Sequence, residues 1–378
     1  MNRRLIVILL WSAFAFATSR VHADELYESY LSARALGMGD AYTSIVDDTD
    51  ALFYNPGALC RLHGFTWEVV DPMLAAGGYQ NLSAVENFRS ATSPSSTVSA
   101  IEGFYGKHLS GDFSMKSAIA LPCFALEGSA VTDVTISMNN PPFPSLDLVG
   151  GADYAEGGGI AVPIVPHFFS IGVAVQHITR YGSTVPIGPG TLVNLNSTSI
   201  QNSLYSNGYG WGVSSGVLFH LHGVLNPRFS FVETNIGDTS FISTSSAGAP
   251  SRIPQETIAG AGLDYESELL SIRSAIDFKH LEMASEQLGK KVHIGIEFAF
   301  PMLSFRGGFY QGYYTLGAGV NLGWFRVDAA TYGVEMGAYP GQDEDRRYAV
   351  QARVQLSFDP DFDFTLNGPA NEGLKLRR

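Results

Sequence analysis

The sequence predicts an all-β protein, a 14-stranded antiparallel transmembrane β-barrel, and three observations predict it. Apolar residues alternate with polar or small ones over runs of about 10 to 14 residues, long enough to cross a bilayer when tilted. Charge is scarce and glycine abundant: 16% of residues are charged and 41 of 378 are Gly, against roughly 25% and 7% in soluble domains. The chain opens with an export signal, yet no later run of ~20 apolar residues offers a transmembrane helix.

Residues 1–23 read as a signal peptide. Arg3 and Arg4 precede an apolar stretch from Leu5 to Ala17, and cleavage is expected near Ala23. Removing Arg3, Arg4 and Arg20 takes the basic residues from 23 to 20 against 36 acidic ones, so the exported chain carries a net charge of −16. That excludes a nucleic-acid partner, which needs a basic footprint. Apolar content of 45% and aromatic content of 12% exclude disorder.

Alternation is clearest near the end of the chain. Tyr348, Val350, Ala352, Val354, Leu356 and Phe358 share one strand face, and Arg347, Gln351, Arg353, Gln355 and Ser357 the other. The same split recurs at Val292, Ile294, Ile296 and Phe298, at Leu270, Ile272 and Ile276, and at Tyr209, Trp211 and Val213, the last set facing a row of glycines. Fourteen strands are expected, at 64–71, 98–108, 112–126, 155–165, 167–181, 208–221, 226–236, 253–265, 268–279, 291–300, 302–312, 313–323, 324–336 and 347–358. The even number suits a single-chain outer-membrane barrel. Gaps after odd strands are long and those after even strands short, except at Gly312, which places both termini in the periplasm. The domains are therefore a signal peptide at 1–23, an N-terminal segment at 24–63, a barrel at 64–358 and a periplasmic tail at 359–378.

The N-terminal segment does not alternate. Asp47 or Asp48 is expected to cap a short helix from Ala51 to Tyr54, which Asn55-Pro56-Gly57 stops. The run Ala35-Leu36-Gly37-Met38-Gly39-Asp40-Ala41, followed by Asp47-Asp48 and Tyr54-Asn55-Pro56, resembles the hatch signature of the FadL/OMPP1-like outer-membrane proteins, including their PorV-like branch. The stretches Gly295-Ile296-Glu297, Leu303 to Gly308 and Gly312 to Gly323 are similar to the C-terminal half of the PorV-like members. The resemblance implies a hatch at 24–63 whose turn, Asn55, Pro56, Gly57 and Ala58, contacts ligand and gates the barrel. This chain departs from the family's Asn-Pro-Ala by inserting Gly57, and it ends its last strand at Phe358 with twenty residues following.

The resemblance also implies capture of an apolar molecule outside and its exit into the bilayer through a gap at a kinked third strand. The expected third strand contains Pro122, which cannot donate to a ladder, and Pro163 in the fourth opposes the same region. The alternative is that Pro122 marks the membrane rim, where pairing has ended. Arg273, Asp277, Glu297, Arg306, Arg326 and Asp328, with Lys279, Arg347 and Arg353, point inward if the apolar faces meet lipid. They would line a wet channel, hold a plug, or fill a packed lumen that transports nothing.

Other motifs are weighed and set aside. Gly212-Val213-Ser214-Ser215-Gly216 matches a nucleophile elbow but lies inside a continuous strand, so no catalytic residue and no enzyme activity is expected. His220 and His222 have no third ligand at metal spacing, so no metal or other cofactor is expected. The glycines from Gly317 to Gly323 are read as small inward residues that leave lumen space. Cys60 and Cys123 are the only cysteines; an oxidising compartment permits a bond, but Cys123 falls on the lipid face and Cys60 in the hatch, so they are expected apart unless the register changes at Pro122.

The leading expectation is passive uptake of a hydrophobic small molecule, fatty-acid or hydrocarbon-like, through the bacterial outer membrane. The competing expectation is a non-transporting PorV-like partner of secretion or surface-attachment proteins. Outer-membrane lipid is the surrounding medium in both.

Overall fold

The computed structural model describes Leu26, Glu28 and residues 30–90, 94–139, 145–187, 206–245 and 248–358. The signal peptide with its cleavage at Ala23 and the tail at 359–378 lie outside the described residues. Fourteen strands close into an antiparallel barrel: β1 Phe65–Gly77, β2 His108–Leu121, β3 Phe124–Asn139, β4 Ser145–Val165, β5 Phe169–Ile187, β6 Asn207–His220 and β7 Arg228–Thr234, then β8 Glu256–Glu266, β9 Ser271–Phe278, β10 Val292–Ala299, β11 Leu303–Tyr310, β12 Tyr313–Asn321, β13 Phe325–Glu335 and β14 Glu344–Phe358. Each pairs with its sequence neighbours, and β14 returns to β1 with Phe358 opposite Phe65, which leaves the barrel no free edge. No described helix is long and apolar enough to cross a membrane.

Period 2 dictates which way each side chain points. Trp211, Tyr314, Trp324 and Phe358 stand outward, at 63, 56, 63 and 58% exposure, while Arg273, Glu297, Arg306 and Arg353 are buried inside. An apolar exterior on a closed barrel is what lipid requires, because closure gives each strand a ladder partner on both sides. The chain is thus an outer-membrane-type barrel; β1 begins and β14 ends at its short-turn end, whereas Glu28, beside Lys279 and His280 after β9, lies at the long-loop end.

Two strand expectations fail and cancel in the count. Residues 98–108 are no strand: α4, Pro94–Glu102, follows α3, Leu82–Ser90, in the long loop after β1. Alternation over so few residues does not separate a strand from a helical turn. The strand missed is β3, whose lipid-facing phase carries Gly128, Ala130 and Thr132, small or polar residues that hide the period. The expected third strand at 112–126 is therefore β2 plus a turn. Pro122 and Cys123 form that turn, and the β2–β3 ladder runs unbroken from His108↔Ser137 to Leu121↔Phe124. Pro122 kinks no strand and opens no gap, because a proline in a turn has no ladder bond to lose.

Wall height varies round the barrel. Strands β3, β4 and β5 have 16, 21 and 19 residues, β7 only 7. At ~3.3 Å per residue, β4 runs about 70 Å and β7 about 23 Å. Residues 235–245 and 248–255 fold over the low wall, tied to β6 by Ile236 N to Val213 O at 2.8 Å and by the pair Tyr209↔Ile242.

Candidate functional site

Residues 30–62 fill the lumen as a plug. Helix α1, Ala33–Gly37, packs on β11, β12, β13 and β14; helix α2, Ala51–Tyr54, and a 3₁₀ turn, Pro56–Arg61, follow, and that turn sits against β3, β4, β5 and β6. The inward glycines make this fit possible. A Cβ on Gly295 would lie 2.0 Å from the Met38 carbonyl oxygen, on Gly172 2.2 Å from that of Pro56, and on Gly317 2.9 Å from the Gly37 Cα. These glycines do not leave open lumen; they admit the plug backbone, while Gly208 and Gly210 admit the backbone at Ile242 and Ser240.

The hatch turn is seated rather than loose. Proline at 56 disfavours helix at Asn55, so α2 stops there. The Asn55 Oδ1 accepts from Gly57 N at 2.9 Å, and its Nδ2 donates to the Thr43 and Val217 carbonyls at 3.0 and 3.2 Å. Ser170 Oγ donates to the Gly57 carbonyl at 2.6 Å, and Ala58 is fully buried. The departure at Gly57 has a packing reason: a Cβ there would meet the Gly216 oxygen at 2.7 Å. Neither Asp47 nor Asp48 caps α2; Asp50 precedes it without a side-chain cap bond. The carboxylates of Asp47 and Asp48 turn to arginines instead.

Those arginines belong to a buried charged layer between plug and wall. Arg34 of the plug reaches Asp47 at 2.6 Å, Asp48 at 3.0 Å and Glu297 at 2.8 Å. Glu297 also takes Arg273 at 2.9 Å and Arg306 at 2.7 Å; Arg306 continues to Asp328 at 2.8 Å, which Arg326 holds at 2.6 Å. Asp277 accepts from the Tyr42 and Thr43 backbone amides at 2.8 and 2.9 Å. On the opposite wall Arg353 and Lys116 face Asp50, Glu68 and Asp71. Burial pushes the Asp47 carboxyl up, but Arg273 and then Arg34 outweigh it and hold it well below the usual carboxylate range. Burial is likewise outweighed at Asp50, by Arg353 and Lys116.

Sequence reasoning missed Lys116, Glu68 and Asp71. Glu68 and Asp71 are three apart, so a regular strand would face them oppositely; a bulge in β1 between Glu68 and Asp71 turns both inward. The same turn that displaced Pro122 overturns the cysteine expectation. Cys60 and Cys123 are bonded, and Cys123, at φ 64°, also donates its N–H to the Leu59 carbonyl at 3.0 Å. The plug is stapled to the β2–β3 turn because Cys123 has left the strand and its lipid-facing phase. Ser214 lies within the β6 ladder, six residues from His220, or roughly 20 Å along the strand. The His220 and His222 rings lie 4.6 Å apart, with His167 in the neighbouring turn 6.3 Å from His222.

Above the plug lies a small vestibule, open at its mouth, with about 70 Å³ of room for the centres of water-sized molecules. Its floor is the plug's Tyr30, Leu52, Phe53 and Tyr54, with Tyr30 and Phe53 stacked at 4.0 Å and 12°. Val131, Ile178, Ile253 and Ile258 make apolar wall; Gln176, Ser214 and Asp153 add polar groups. One side reaches Thr234 and Asn235, where β7 ends.

A closed barrel with an apolar exterior, a stapled lumen plug and a vestibule above it defines the class: a plugged outer-membrane β-barrel. No family model matches this chain, and no curated protein matches its sequence. Among solved structures it is similar to a deletion mutant of the monoaromatic hydrocarbon channel TodX, at 11% identity over 86% of this chain and 98% of that one, TM-score 0.48. It is also similar to the Ralstonia pickettii toluene transporter TbuX, at 10% identity over 87% and 98%, TM-score 0.43, and to a Pseudomonas aeruginosa FadL homologue, at 10% over 88% and 98%, TM-score 0.31. At that identity the likeness is one of barrel architecture, and function has to come from this chain's own residues.

Proposed function

We propose that this barrel takes up small, largely apolar molecules from the external face and releases them sideways into the bilayer. The observation that carries the reading is the vestibule: an aromatic floor and aliphatic walls, reaching the wall where β7 stops. Axial passage is blocked beneath it by the disulfide and the buried ion pairs, so a captured molecule leaves through the wall or not at all. The low wall at β7, covered by residues 235–245 and 248–255, replaces Pro122 as the exit. The aromatic floor and the aliphatic patch beside it suit a small ligand of hydrocarbon type, and the polar and charged half of the lining would orient it. Monoaromatic hydrocarbons and toluene, named for two of the similar structures, are the first probes to try.

The test is uptake of toluene and of a fatty acid by protein reconstituted in liposomes. A disulfide across Tyr209→Cys and Ile242→Cys pins the covering loop to β6. In a Cys60→Ser, Cys123→Ser background uptake is expected to fall when that bond forms and to return on reduction, with the background alone indifferent to the same treatment. Should the parent neither bind nor pass either probe, transport is lost. The locked plug favours a second reading in that event, a closed barrel that serves as a partner for other envelope proteins.

A further inference from the structure

On the vestibule's rim the plug's Glu28, Glu256 at the start of β8 and His280 after β9 bring one ligand atom each within 4.8 Å of the others. His280 Nε2 stands 3.4 Å from Glu28 Oε1 and 3.6 Å from Glu256 Oε1. Bonds of ~2.0–2.1 Å at tetrahedral angles put neighbouring ligands about 3.4 Å apart, so these two edges are those of a zinc-sized tetrahedron. Glu256 is 5% exposed and His280 1%, and Glu256 Oε1 has no hydrogen-bond partner although it is buried and aimed at the imidazole. A buried carboxylate oxygen left in that state is costly unless a cation meets it.

The local charge points the same way. Lys279 and His280 face four carboxylates, Asp40, Glu28, Glu256 and Glu282; Lys279 pairs with Asp40 and with Glu28 at 2.9 Å through Oε2, which leaves Glu28 Oε1 turned to His280. Both glutamates line the cavity, so a fourth coordination position opens toward it.

We propose that Glu28, Glu256 and His280 form a divalent-cation site of the zinc class, with one position open to the vestibule. The bound ion ties the plug's N-terminal segment to β8 and to the loop after β9, at the end of the plug opposite the disulfide. Two carboxylates and a neutral imidazole supply hard oxygen and borderline nitrogen ligands, a set that suits Zn²⁺ or Co²⁺ better than Mg²⁺.

The full chain, purified in detergent and stripped with EDTA, is titrated with ZnCl₂ by calorimetry, and bound metal is counted by mass spectrometry. One ion per chain is expected, with affinity at least tenfold weaker in Glu256→Gln and in His280→Gln. His222→Gln, at the opposite end of the barrel, leaves it unchanged. Cobalt in place of zinc is expected to give tetrahedral d–d absorption that Glu256→Gln abolishes while the barrel still migrates as folded. Absence of binding would show that a proton shared between His280 and the glutamates suffices there, and overturns the proposal. So would binding that survives in Glu256→Gln and disappears in His222→Gln, which would assign the metal to the His167, His220 and His222 turns.

Discussion

Arg353→Met probes what holds the plug against the β1–β14 wall. The guanidinium is 5% exposed and lies 3.3 Å from Asp48, 3.1 Å from Asp50, 3.1 Å from Glu68 and 3.0 Å from Asp71. At ~3.1 Å and an effective dielectric of ~20, each contact is about 5 kcal/mol of Coulomb attraction before desolvation is subtracted. Methionine keeps the volume but leaves Lys116 alone against Asp50, Glu68 and Asp71, so the net cost follows that of breaking a buried pair, about 3–5 kcal/mol. At ~1.4 kcal/mol per tenfold, opening of this part of the plug rises about 140- to 3700-fold. The readout is hydrogen exchange at Phe53, Tyr54 and Asn55, whose amides bond to the Asp50 and Ala51 carbonyls at 3.0 Å. Arg353→Lys is expected between the two, because a point charge cannot span four carboxylates as a planar fork does. If exchange at these three amides in a folded Arg353→Met barrel stays within threefold of the parent, the ion pairs do not hold the plug and the reasoning fails.

Three further outcomes follow from the same geometry. Cys60 and Cys123 are 63 residues apart, so Cys60→Ser with Cys123→Ser should lower stability by about 4 kcal/mol on chain-entropy grounds, read as a lower urea midpoint that reduction of the parent reproduces. Gly295→Ala places a methyl against the Met38 carbonyl and should cost about 1–3 kcal/mol, measured as faster exchange in α1, whereas Gly111→Ala, with open space around it, should change nothing. Asp47 and Asp50 have folded pKa values below their ordinary 3.8, so their contribution is complete above about pH 4 and fades as pH falls further. The extra protease protection of the plug over an Asp47→Asn, Asp50→Asn variant should therefore persist from pH 7 to about 4 and vanish only below; its loss between pH 7 and 5 would contradict it.

The barrel class, the lipid face and the direction of most strands were legible in the sequence because a period of two is a local property that each stretch carries by itself, whereas the strand number agreed only because one false strand offset one missed. Val350, Ala352 and Val354 outward and Arg353 inward needed no knowledge of any other strand. The inward set Arg273, Glu297 and Arg306 could be named on the same ground, but not the fact that both arginines converge on Glu297 with the plug's Arg34. Convergence depends on closure and on register, which bring residues hundreds of positions apart to hydrogen-bond distance. Where the local signal was faint or broken, tertiary structure decided. The small lipid-facing residues of β3 hid a strand, the bulge after Glu68 put two carboxylates on one face, and the turn at Pro122 carried Cys123 out of its strand phase to Cys60. The glycine rows show the division most plainly: their inward phase can be read from alternation, but only the packed plug shows that a backbone, and not open space, occupies the room they leave.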